Sequence, residues 1–354
     1  MLRVSILSAL ALAAAAVDAT RVLIPLYSWD EDCWPELQTA VAKNPSTSFL
    51  AIINPSSGPI SDVSDPSLYC VPVLRKAIPN LTLLGYVRTG YGDRSASTVE
   101  SEIGQYEGWK DLKVKAGGVE GSAELDGIFF DESLSFKEDQ IGLDSYKGFS
   151  KAAREAFGEQ GTIMYNPGTP SGQALYDIAN VVVAYEHYYT QFAAADLPTG
   201  DKIQAQSAIM LHDFPTSSST LSTVLSAIVP AYDSVWISDA KINKEDIYQN
   251  WGSNWNSFVA NVASANSKSN SGGGVASTSQ ATKIVQPSST SSTTAKSSLT
   301  SSRAVLTSTA STTAVRSTTT TRSSTTVAST KSTPSAATAS ASRRPWWKHG
   351  QHQH

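Results

Sequence analysis

The feature that most constrains this chain is a series of eight short, nearly unbroken apolar runs. They are Val22–Tyr27, Phe49–Asn54, Leu81–Val87, Asp126–Asp131, Thr162–Asn166, Val181–Glu186, Ser207–His212 and Ser234–Ser238. A strand with one wetted face alternates apolar and polar residues, whereas a run that stays apolar must be covered on both faces. Amphipathic segments lie between the runs: Trp34–Lys43, Ser97–Leu112, Tyr146–Phe157, Leu221–Val229 and Glu245–Val262. In the second of these, Val99, Ile103, Tyr106 and Trp109 share one helical face, and Ser97 with Glu100 has capping-box spacing. Strand–helix repetition of this kind builds a parallel sheet with helices outside it, and eight such units predict a closed (β/α)8 TIM barrel. The competing architecture is an open doubly wound sheet, but no glycine fingerprint follows the first run.

The barrel needs about 250 residues, and residues 20–267 supply them. Residues 1–19 read as a signal peptide: Arg3, an Ala/Leu-rich apolar run, then Val17-Asp18-Ala19 before a cut. That run is shorter than the ~20 residues of a membrane span, so no membrane span is expected. Residues 268–354 are mostly Ser, Thr, Ala and Val and contain no Asp or Glu. Such a tract buries too little apolar surface to offset its ordering entropy and reads as a disordered tail of the kind that carries O-glycans. The charges divide in the same way. Residues 20–267 hold 16 Lys and Arg against 30 Asp and Glu, a net charge of −14. This disfavours nucleic acid as a partner and suits a neutral or cationic one.

Cys33 and Cys70 are the only cysteines. In an oxidising compartment they are expected to pair. Asn80-Leu81-Thr82 is a glycosylation sequon. Together these features predict a secreted, extracellular or wall-associated glycoprotein, expected to be a monomer.

Polar and aromatic residues gather just past the apolar runs, where a parallel barrel opens all its strands on one face. The sharpest group is Asp131-Glu132, after Gly127-Ile128-Phe129-Phe130. Successive strand residues point to opposite sides, so the two acids share a target only if the chain bends there. Glu186 ends a run two strands further round. Opposed carboxyl groups suit cleavage of a glycosidic bond, one protonating the leaving oxygen and the other acting as nucleophile or activating water. Asp131, Glu132 and Glu186 are therefore the candidate catalytic residues, with their individual roles open. Tyr27, Trp29, Asn54, Arg88, Tyr91, Asn166, Tyr185, His212 and Trp236 are the candidate substrate-binding residues, flat rings beside hydrogen-bonding groups being suited to sugars. No metal site is expected, since HExxH and paired Cys/His spacings do not occur. No cofactor is expected either, since Walker and GxSxG motifs are also missing.

Five segments carry a family resemblance when taken in order: Val22-Leu23-Ile24-Pro25-Leu26-Tyr27, Ile53-Asn54-Pro55-Ser56-Ser57-Gly58-Pro59, Leu84-Gly85-Tyr86-Val87-Arg88-Thr89-Gly90-Tyr91-Gly92, Gly127-Ile128-Phe129-Phe130-Asp131-Glu132 and Tyr165-Asn166-Pro167-Gly168. Residues 20–267 thus resemble the spherulin-4-like family of surface proteins. The resemblance implies a (β/α)8 barrel and, from one branch of the family, an endo-acting hydrolase of α-1,4-linked N-acetylgalactosamine in galactosaminogalactan. It also implies that Asp131, Glu132 and Glu186 are needed for activity, and that Asn166 is a polar residue of the barrel mouth. The polysaccharide is then the expected partner. A non-catalytic glycan-binding or wall-structural protein on the same barrel is the alternative, which the Ser/Thr tail suits.

Overall fold

The computed structural model describes residues 19–242 and 247–271. The expected signal peptide and most of the expected tail lie outside the described residues. Among the described residues there are ten strands: β1 (Arg21–Leu26), β2 (Phe49–Ile53), β3 (Leu81–Arg88), β4 (Lys113–Ala116), β5 (Val119–Ser122), β6 (Gly127–Asp131), β7 (Thr162–Tyr165), β8 (Val181–Tyr188), β9 (Ser207–His212) and β10 (Ser234–Ile237). Eight of them form a closed barrel in the order β1-β10-β9-β8-β7-β6-β3-β2. Every pairing around it is parallel. All eight apolar runs are barrel strands, with ends displaced by a residue or two. The fold is the (β/α)8 barrel that the pattern predicts.

The doubly apolar runs divide into two cores. Leu23, Leu50, Ile52, Leu84, Tyr86, Phe129, Met164, Val181, Val183, Ala208, Met210 and Trp236 fill the barrel interior. Their neighbours Val22, Ala51, Leu83, Phe130, Ile163, Val182, Ile209 and Val235 pack outward with the helices. Burying one such side chain contributes about 1.5–3 kcal/mol, so a one-residue slip of any strand would exchange two apolar layers and gain nothing. Gly127 allows β6 to approach β7. A Cβ there would sit 2.0 Å from the Thr162 carbonyl oxygen.

Three local features differ from the sequence reading. The helix Ala96–Gly108 is capped by Ser95, whose hydroxyl accepts from the Thr98 amide, and not by Ser97 with Glu100. Either serine has the chemistry, but Ser95 has the extended backbone that a cap requires. The last helix is Trp255–Ser271; of the expected Glu245–Val262, residues 247–254 are turn and loop, and residues 245 and 246 lie outside the described residues. Its apolar period is interrupted by Trp251 and Gly252, where the chain turns before the helix begins. This helix also crosses the boundary expected at residues 267 and 268. Third, β4 and β5 pair as an antiparallel hairpin around Gly117-Gly118. This short, polar hairpin precedes β6, packs against the helices Pro66–Tyr69 and Val71–Ala77, and lacks the apolar run that marks the barrel strands.

Cys33 and Cys70 are joined in a disulfide that closes a loop with a sequence separation of 37. Asn80 is exposed at the turn before β3, at the barrel's N-terminal face. Replacing both cysteines with alanine should lower stability by about 3–4 kcal/mol by the loop-entropy model. Urea unfolding monitored by tryptophan fluorescence would measure this, and an unchanged midpoint would show that the link does not constrain the unfolded chain.

Candidate active site

Side-chain alternation carries chemistry to one face of the barrel. The interior positions Ile52, Tyr86, Phe129, Met164, Met210 and Trp236 are each followed two residues later by Asn54, Arg88, Asp131, Asn166, His212 and Ser238. All six sit at the C-terminal ends of parallel strands. Glu186 breaks this parity. Val181 and Val183 face inward, so strict alternation would turn Tyr185 inward and Glu186 outward. A register shift between Val183 and Tyr185 inserts Ala184 and reverses the parity. Tyr185 consequently packs in the outer core, edge-on to Phe192 at 5.6 Å between ring centroids. Its ring thus lies on the helix side of β8 and not beside the two acids. Glu186 is turned into the mouth instead.

There Asn166 joins the two acids. Its Nδ2 donates to Asp131 Oδ1 at 2.9 Å and to Glu186 Oε2 at 2.7 Å. The Tyr86 hydroxyl donates to Asp131 Oδ2 at 2.7 Å. The Tyr248 hydroxyl donates to Glu186 Oε1. The bridge uses the amide's donors and leaves Asn166 Oδ1 buried with no partner among the described residues. Gly168, at φ +66, runs past this atom. A Cβ on it would stand 3.9 Å from both Asn166 Oδ1 and Glu186 Oε2, in ordinary contact with the pair.

Burial pushes both carboxyl groups above their ordinary pKa values. For Asp131, bonds from Tyr86, the Glu132 amide and Asn166 and the charge of Arg88 oppose the rise. For Glu186, the charge of Asp131 adds to it, and only Tyr248 and Asn166 oppose it. Asp131 thus carries more groups that favour its anion than Glu186 does. Two carboxylates sharing one amide titrate as a coupled pair.

Glu132 follows a different course. Its backbone is left-handed, at φ 51, which is the bend that a shared site would require. The turn nevertheless carries its carboxylate toward Arg88, with Oε2 3.8 Å from Nε. Thr89 anchors the bend: its hydroxyl bonds the carbonyls of Asp131 and Glu132 and the hydroxyl of Tyr146. Tyr91 stands over this side, 53 % exposed. Burial of its hydroxyl, then the charges of Asp131, Glu132 and Glu186, push its pKa up to about 12.

The remaining expected residues are scattered around this centre. Tyr27 packs edge-on to Tyr86 at 5.7 Å and against Tyr248 at 5.4 Å. Trp29 is 54 % exposed on the rim. Asn54 faces the mouth, but its Oδ1 accepts from the Ser57 amide. Trp236 is buried one layer down, its ring 5.2 Å from that of Tyr248. His212 is buried beside Asp213. Sequence reasoning missed Tyr86 and Tyr248, and it noted Asp213 beside His212 only as a polar residue past a strand end. Tyr86 was recoverable, lying two residues before Arg88 on the same face. Nothing local marks Tyr248, which belongs to a segment expected to be helical.

A (β/α)8 barrel with a buried carboxylate pair at its C-terminal mouth is an enzyme-like arrangement, and the comparisons give it a family. Residues 21–262 match the model of spherulation-specific family 4, and the chain belongs to that family. Spherulin-4 of Physarum polycephalum is 28 % identical over 173 residues, covering 49 % of this chain and 46 % of that protein, so the match spans under half of that relative. The crystal structure of Aspergillus clavatus Sph3 in complex with GalNAc is 25 % identical, with a TM-score of 0.61, covering 69 % of this chain and 98 % of that one.

Replacing Asn166 with alanine removes a donor that lowers both acids. The titration midpoints of Asp131 and Glu186 should both move upward, read by carboxyl-carbon NMR. If neither moves, the amide does not bridge them in solution.

Proposed function

We propose that this protein is a secreted glycoside hydrolase that cleaves a polymer of α-1,4-linked N-acetylgalactosamine and galactosamine, resembling galactosaminogalactan, from within the chain. The observation that carries the reading is the Asp131–Asn166–Glu186 bridge at the barrel mouth. Family membership and the GalNAc bound by Sph3 support the choice of sugar. The net charge of −14 in residues 20–267 suits a polymer carrying free amines.

The roles follow from the surroundings of each acid. Asp131, with more donors on its anion, is the nucleophile. Glu186, with fewer donors on its anion and the charge of Asp131 beside it, is the general acid. Their bonds to one nitrogen put the carboxyl groups on the order of 5 Å apart, in the range of retaining enzymes. Asp131 attacks C1 as Glu186 gives its proton to the glycosidic oxygen and the bond to the leaving sugar breaks. Glu186 then takes a proton from water, whose oxygen displaces Asp131 from C1. Glu132 and Arg88 form a charged pair beside this centre and bind the sugar. Tyr27, Trp29 and Tyr91 supply ring faces along the mouth. In this reading residues 1–19 direct secretion, Asn80 carries a glycan on the opposite face, and residues 268–354 hold the enzyme at the wall or matrix.

Incubation with galactosaminogalactan should release oligosaccharides whose new reducing ends first appear in the α configuration, read by proton NMR. Asp131→Asn and Glu186→Gln should each slow release by several orders of magnitude. Binding of the polymer without any product would instead support a non-catalytic glycan-binding protein.

The same pair makes a stability prediction of opposite sign. A carboxyl whose folded pKa is raised above its unfolded value destabilises the fold progressively as pH rises between the two, and fully above both. Glu186→Gln should therefore keep or raise the thermal midpoint at pH 7 relative to wild type, with the advantage shrinking as pH falls below the carboxylate range. A variant less stable at pH 7 than at pH 3, relative to wild type, would contradict the burial cost.

A further inference from the structure

His212 and Asp213 form a second polar unit at the mouth that the mechanism above does not use. His212 ends β9 on the interior parity and is 4 % exposed. Neighbouring residues of an extended strand point to opposite sides. They meet here because Asp213 adopts a left-handed backbone, φ 53. Its carboxylate thereby returns to the preceding imidazole, with Oδ2 2.8 Å from His212 Nδ1. A non-glycine residue held in this conformation is costly and persists only where its surroundings enforce it. Two further bonds hold this one: the Asp213 amide donates to the Ala240 carbonyl at 3.0 Å, and the Ile242 amide donates to Asp213 Oδ2 at 3.2 Å.

The consequence lies at the other nitrogen of the ring. A carboxylate only accepts, so Nδ1 carries the hydrogen and Nε2 of the neutral ring is a bare acceptor. No described residue bonds Nε2. The edge of the ring is fixed as well, by Tyr188 at 4.5 Å between centroids. His187 is held the opposite way: its Nδ1 accepts from the Tyr188 amide at 2.8 Å, which leaves its hydrogen on Nε2. Burial, the first cause, together with His187 and Lys241, lowers the pKa of His212, while Asp213 raises it. The balance favours the neutral ring.

We propose that Asp213 is a positioning residue that locks His212 as a neutral hydrogen-bond acceptor, with Nε2 receiving a hydroxyl or N–H of the sugar bound beside Glu186. The proposal rests on the glycoside-binding reading of the mouth. β8 and β9 pair side by side there, Glu186 opposite Met210 and Tyr188 opposite His212, so a sugar at Glu186 has His212 on its flank. An amide in place of Asp213 can instead donate to Nδ1 and move the hydrogen to Nε2, converting the acceptor into a donor.

The test uses the full chain labelled with nitrogen-15 histidine, and the signal missing from His212→Gln identifies the ring. Wild type should show His212 with hydrogen on Nδ1 and His187 with hydrogen on Nε2, and titration with GalNAc should shift the His212 Nε2 resonance. Asp213→Asn should switch the His212 tautomer and raise KM for the polymer at least tenfold, with a smaller change in kcat. Asp213→Glu should restore the wild-type tautomer in part. Hydrogen on Nε2 in the wild type, or wild-type KM in both His212→Gln and Asp213→Asn, overturns the proposal while leaving the hydrolase standing. A wild-type protein that releases no product removes the hydrolase reading instead. The imidazole then decides alone: a GalNAc-induced shift at Nε2 supports the acceptor, and an unmoved resonance rejects it.

Discussion

Pairing of β1 with β10 closes the sheet, and the chemistry at the mouth depends on that closure. A closed parallel barrel has no free edges and one fixed direction. Every strand therefore delivers its last inward side chain to the same rim. The interior below is packed with Leu, Ile, Val, Phe and Met and leaves no aqueous channel. Polar groups at the rim stand on an apolar floor, where a charge is poorly solvated and any hydrogen bond counts for more. The raised pKa values of Asp131 and Glu186 come first from this floor.

Two like charges in such a place would ordinarily repel one another out of position. The Asn166 amide resolves the conflict by donating to both. It neutralises neither acid, so their different surroundings can still set their proton affinities apart. Tyr86 and Tyr248 each hold the oxygen that Asn166 does not. The arrangement costs stability, because burying two ionisable groups costs folding energy that a pair of apolar residues would not.

Three departures from regular backbone give the site its shape. Ala184 shifts the register of β8 and brings Glu186 inward. Left-handed conformations at Glu132 and Asp213 turn the chain just beyond β6 and β9. In each case the irregular residue re-aims a side chain at the end of a strand. The two left-handed acids behave differently because their neighbours differ. Glu132 is drawn to Arg88, and Asp213 is held by the Ile242 amide against His212.

Much of this could be read along the chain. Apolar runs of strand length at both parities can only be doubly covered strands, so the barrel and all eight of its strands were legible. So was the gathering of polar residues past their ends. The cysteine pair followed from there being only two. Exchanges between residues far apart in sequence were not legible, because local pattern carries no information about them. The outward turn of Tyr185 and the course of Glu132 toward Arg88 both depended on neighbours brought in by folding. Composition and periodicity alone determined that acids would collect at one rim. Only the tertiary structure decided that Asp131 and Glu186 share one amide, because that contact needs three strands in register and one inserted residue to reverse the parity of β8.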